Sequence, residues 1–95
     1  MRCQVPVSLF CEETPGIRNT AQAFDISPTG LILQTSFPLT ENQRIDLELP
    51  TSLGNLCLSV RVTASRQNGW ACQFVDVAPT TASLLSQWLF PPFEP

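Results

Sequence analysis

Leu56-Cys57-Leu58-Ser59-Val60-Arg61-Val62-Thr63 alternates without a break. Leu56, Leu58, Val60 and Val62 share one face; Cys57, Ser59, Arg61 and Thr63 share the other. A period of two marks a strand with one face on a core and the other in solvent. A helix would scatter those four apolar side chains around its axis. The segments on either side repeat the pattern. Residues 43–49 set Ile45, Leu47 and Leu49 on one face and Arg44, Asp46 and Glu48 on the other. Pro50-Thr51-Ser52-Leu53-Gly54 punctuates these two strands. Downstream, Asn68-Gly69 predicts a hairpin turn with positive φ at both positions, leading into a sixth strand over residues 70–75.

Toward the N-terminus, residues 3–11 alternate, with Val5, Val7, Leu9 and Cys11 on one face, and Pro6 predicts an edge position. A turn over residues 12–16 leads to a second strand over residues 17–26 and a third over residues 29–35. Residues 37–42 form a connector around Pro38. After Val77 the period changes. Pro79 suits a first helical turn, and Leu84, Leu85, Trp88 and Leu89 fall on one stripe. The helix is expected over residues 79–89, stopped by Pro91-Pro92, with a tail over residues 90–95. Six short strands and a terminal helix in 95 residues predict a single all-β domain, a small antiparallel barrel or sandwich occupying about residues 3–77.

Composition excludes several function classes. The net charge is −3, and all five basic residues are Arg. Such a chain has no basic patch for a nucleic-acid polymer or an anionic membrane surface. Its longest apolar runs are far too short to span a bilayer, and no secretory signal is read at its start, so a cytoplasmic location is expected. Cys3, Cys11, Cys57 and Cys72 have no C-x-x-C spacing and the chain has no His, so no metal site is expected. The four cysteines are read as reduced, mostly buried thiols. With no His, Tyr or Lys, the usual general bases and activated nucleophiles are missing. A carboxylate pair such as Asp25 with Asp76 is conceivable, but nothing in the sequence brings them together. No enzymatic activity and no cofactor are expected.

The stretch with chemical character is Asp25-Ile26-Ser27-Pro28-Thr29-Gly30-Leu31. Asp25 and Ser27 are two apart and point the same way on an extended chain. Two readings stand side by side. The turn is a ligand edge with paired acceptors, or it is a structural turn with side-chain caps and a glycine at positive φ. The order of motifs across the chain resembles the PilZ domain. These are a V-P-V strand, D-x-S-x-x-G at Asp25, Ser27 and Gly30, a P-L connector, a long strand ending in R-V, then G-W-x-x-x-F ending at Phe74 and a short helix. The resemblance runs from Gln4 to Leu89.

That resemblance implies a six-stranded antiparallel β-barrel with a C-terminal helix and cyclic di-GMP as ligand. It also implies a site built from the D-x-S-x-x-G turn and an R-x-x-x-R segment before the first strand. Asp and Ser would meet a guanine edge, and arginines would stack on the bases and clamp phosphates. This chain departs from the second motif. The Arg expected directly before V-P-V is Gln4, and taking Arg2 as the first Arg sets Pro6 at the second position. Losing two arginine clamps costs about 3–6 kcal/mol, on the order of 10²–10⁴ in affinity. Candidate ligand residues are therefore Arg2, Gln4, Asp25, Ser27 and Gly30, with weak binding expected. Trp70 and Trp88 read as packing residues first. Trp88, Phe90 and Phe93 are also candidate contacts for a protein partner, because aromatic side chains on a short stiff tail either pack or meet another surface. The expected function is a bacterial regulatory module of the cyclic di-GMP type, degenerate in ligand binding and acting on pili, motility or polysaccharide control through protein contacts. A direct cyclic di-GMP receptor and an unrelated small barrel are the alternatives.

Overall fold

The described residues form six strands and one helix in the order the periodicity predicts. The structure, a computed structural model, describes residues 4–11, 18–36, 38–67 and 69–90, without the Cys11 side chain. The strands are β1 (Val5–Cys11), β2 (Asn19–Phe24), β3 (Gly30–Gln34), β4 (Arg44–Thr51), β5 (Gly54–Arg66) and β6 (Gly69–Val75). The helix α1 spans Pro79–Leu89. The strands close into one antiparallel barrel in the order β1-β2-β3-β6-β5-β4, so the sandwich alternative falls away. Every strand therefore has a partner on each side, as β1 and β6 show. β1 meets β2 at Val7↔Ala21 and β4 at Leu9↔Leu47. β6 meets β3 at Leu31↔Cys72 and β5 at Val60↔Phe74.

Alternation decides what lies inside. Leu9, Leu33, Ile45, Leu47, Leu49, Val60 and Val62 are the largest fully buried side chains. Each of these strands sends its other face outward, as Arg44, Asp46, Cys57 and Arg61 show. Ile26 and Leu39 lie outside any strand yet join the same cluster. β5 serves both neighbours along its thirteen residues, meeting β4 from Gly54 to Arg61 and β6 from Ser59 to Arg66, with a register shift between Val62 and Ala64. Such a bulge bends the strand and increases its twist, which a small barrel requires.

Three expectations change. Pro6 does not mark an edge strand, because the barrel has none. It pairs with Gln22 of β2 and precedes the β1–β4 ladder, which begins at Ser8↔Glu48, so its missing N–H costs no bond to β4. The β5–β6 hairpin closes at Arg66↔Gly69, so Gly69 opens β6 and does not belong to the turn. Asn68 itself lies outside the described residues. Gly69 has φ +144°, and a Cβ there would run into the carbonyl of Leu33. Finally, Cys57 is an exposed free thiol while Cys72 is buried; the side chains of Cys3 and Cys11 lie outside the description.

Candidate functional site

Asp25 follows the last residue of β2 with φ 50°. An aspartate tolerates this left-handed conformation because its short side chain bonds locally or to water. The carboxylate is exposed and makes no hydrogen bond or ion pair among the described residues. Ser27 has the opposite fate. Its hydroxyl accepts from the N–H groups of Thr29 and Gly30, 3.3 Å each, and lies 3.1 Å from the Thr29 hydroxyl. Its own N–H donates to the Gly30 carbonyl at 2.9 Å. The lone pairs of Ser27 are thus used in shaping the turn.

Gly30 is needed for closeness rather than for a positive φ. A Cβ there would fall into the carbonyl oxygen of Cys72 and within 3.3 Å of the Gln73 Cα. The positive φ in this turn belongs to Asp25. Glycine here lets β3 start directly against β6, where Gly30 pairs with Gln73 and Phe74 N–H donates to the Thr29 carbonyl at 2.9 Å.

The turn borders an open cleft of about 430 Å³ lined in part by Asp25, Ser27, Thr29, Gly30, Thr63 and Gln73. The D-x-S-x-x-G residues are therefore brought together as the spacing implies. Gln4 does not line the cleft; its amide Nε2 donates to Gln34 Oε1 at 3.3 Å. Arg2 and Phe93 lie outside the described residues. No arginine is among the described residues lining the cleft. Thr63 and Gln73 are additions that sequence reading missed. Each reads as an ordinary outward residue of its own strand, and only the non-local pairing of β6 with β3 and β5 carries them to the turn.

The helix delivers the candidate partner residues. Leu85 is its buried residue, while Leu84, Trp88 and Leu89 are half-buried against the barrel core. Trp70 of β6 is also half-buried against that core. Phe90 is 63% exposed just past the helix end, and its N–H donates to the Ser86 carbonyl at 2.8 Å.

Two further clusters complete the surface. A groove of about 380 Å³ over β1, β4 and β5 is lined by Phe10, Asp46, Glu48, Cys57 and Ser59 among others. Arg18 covers the Phe10 ring at 5.4 Å and lies 3.8 Å from Glu48, and the Ser59 hydroxyl donates to Asp46 at 2.7 Å. Asp76 follows β6 as Asp25 follows β2, also with φ 50°. β2 and β6 both run antiparallel to β3, so the two aspartates share one rim of the barrel. Asp76 is committed there to Arg44, at 3.1 Å. Among the described residues no group of three or more His, Cys, Asp or Glu could hold a metal ion.

Comparison with known proteins completes the description. No curated protein matches the sequence significantly. Among solved structures, the PilZ domain of CeSA from a cellulose-synthesizing bacterium superposes with a TM-score of 0.75 at 15% identity, covering 95% of this chain and 93% of that one. The fold is therefore shared although the sequences have diverged widely. The family model described as PilZ domain matches residues 1–90. With the closed six-stranded barrel, the terminal helix and the D-x-S-x-x-G turn at a cleft, this places the chain in the PilZ domain family.

Proposed function

We propose that this chain is a non-enzymatic bacterial regulatory module of the cyclic di-GMP-signalling type, degenerate in ligand binding and acting mainly through protein contacts in the cytoplasm. PilZ domains are regulatory binding domains that take cyclic di-GMP as a ligand, not as a cofactor. The observation that carries the degenerate reading is the cleft itself. Its turn has the family's Asp, Ser and Gly, yet no cation is among the described residues lining it, and the residue directly before the first strand is a glutamine bonded to Gln34. Ser27 and Gly30 are already accounted for by the turn and by strand packing. A dianionic dinucleotide would meet a neutral or acidic surface on a chain of net charge −3. The output is then control of pili, motility or surface polysaccharide through a protein partner, with the half-buried Trp88 and the exposed Phe90 as candidate contacts.

Calorimetry with cyclic di-GMP at moderate salt tests this reading. No saturation is expected below the high-micromolar range, and a sub-micromolar Kd overturns it. A direct receptor is the second reading, favoured by the Asp25 carboxylate, which stands at the cleft with no partner among the described residues. Under that reading Asp25→Ala weakens binding clearly, because a guanine edge is left unpaired.

A further inference from the structure

Across the outer face, strand pairing sets Gly30 of β3 beside Gln73 of β6, Gln73 beside Arg61 of β5, and Arg61 beside Arg44 of β4. Two of the five arginines of an acidic chain thus stand directly opposite each other. Like charges at opposed positions repel, and the arrangement is eased by an anion between or beside them. Asp76 answers Arg44 at 3.1 Å. Arg61 is exposed and has no carboxylate partner among the described residues. Its strand neighbour Thr63, on the same outward face, and its cross-strand neighbour Gln73 both line the cleft at the Asp25–Gly30 turn.

We propose that Arg61, which stands just outside the cleft lining and opposite Gln73, is the residue that contacts phosphate there, so that a phosphodiester ligand is held from the β5–β6 side instead of from the segment before β1. This contact rests on cyclic di-GMP being the ligand of the cleft and accounts for the affinity that remains with Gln4 in place of an arginine before β1. The guanidinium offers a planar fork to phosphate oxygens, and Gln73 adds an amide beside it. Asp25 remains free at the turn for the base end of the same ligand. Asp76 limits the site: by occupying Arg44 it leaves a single net cation on the row, and its own charge opposes an anion.

The contact is tested by an NMR titration of the whole chain with cyclic di-GMP at low salt, carried to millimolar ligand. Saturable shifts are expected at the amides of residues 25–30, 61 and 73. Arg61→Ala should weaken the fitted Kd about fivefold or more, the scale of one partly exposed charge-assisted contact. Asp76→Asn should strengthen it about two- to threefold by freeing Arg44 and removing a repelling charge. Arg66→Ala removes an equal charge at the far end of β5, where Arg66 pairs with Gly69, and should leave the Kd unchanged. The absence of shifts at millimolar ligand overturns the assignment, as does an Arg61→Ala Kd equal to wild type or equal to that of Arg66→Ala. These results are separable from the weak-binding reading, which a sub-micromolar wild-type Kd overturns by itself.

Discussion

At residue 30 the backbones of β3 and β6 come too close for any side chain. Gly30→Ala would drive a methyl group into the Cys72 carbonyl, which is main chain and cannot swing aside. The expected loss is about 1–3 kcal/mol of stability, the range for overpacking a fitted interior, measured by urea denaturation without ligand. Asp25→Gly at the other end of the turn should be nearly neutral for stability, since φ 50° suits glycine. The D-x-S-x-x-G spacing was legible from the sequence, and so was the gathering of its residues in one turn. The division of labour within it was not. Ser27 bonds to groups two and three residues away, which local reading can anticipate. Gly30 answers to Cys72, more than forty positions later, and only the strand pairing reveals that.

At the scale of elements, the helix shows how punctuation and periodicity combine. Its bounds coincide with the expected residues 79–89 because Pro79 opens it and a proline pair follows. Nothing local strengthens its ends. Ala78 supplies no side-chain cap, the first turn has no acidic residue and the last turn no basic one. Packing must therefore hold it, and Leu85 is its deepest anchor at 2% exposure. Leu85→Ala should cost about 2–4 kcal/mol. Phe90→Ala, at a side chain 63% exposed, should stay within about 0.5 kcal/mol. Paired thermal melts check both, and a large loss at Phe90 would make it a packing residue instead of a candidate contact. The β5–β6 turn was less legible. Asn68-Gly69 has the composition of a two-residue hairpin loop, but the glycine is already part of β6, paired with Arg66 and close against the Leu33 carbonyl.

At the scale of the whole molecule, alternation announced six strands, but each strand's pattern is silent about its partners. Closure rests on Leu9↔Leu47 and Leu31↔Cys72, pairs about forty residues apart. A single residue inside the closed barrel nonetheless makes its stability sensitive to pH. Burial raises the Cys72 thiol from 9.0 to about 12, because the thiolate would be desolvated. Between those values the unfolded chain releases this proton and the native chain keeps it, so stability falls as pH rises. The slope from this group is about 1.4 kcal/mol per pH unit above pH 9. Urea midpoints measured from pH 8 to pH 10.5 should show that decline in the wild type, and Cys72→Ala should flatten it.

The strand order also bears on how the chain is made. As it leaves the ribosome, the first five strands can pair only as an open sheet, β3-β2-β1-β4-β5, with β3 and the thirteen-residue β5 at its margins. Both margins stay unsatisfied until β6 arrives and zips one to the other. The nascent chain therefore passes through a stage with two exposed, pairing-competent borders, the condition in which neighbouring chains stick together. Only the seven residues of Gly69–Val75 end that exposure, so translation through this short segment separates an aggregation-prone sheet from a sealed cylinder.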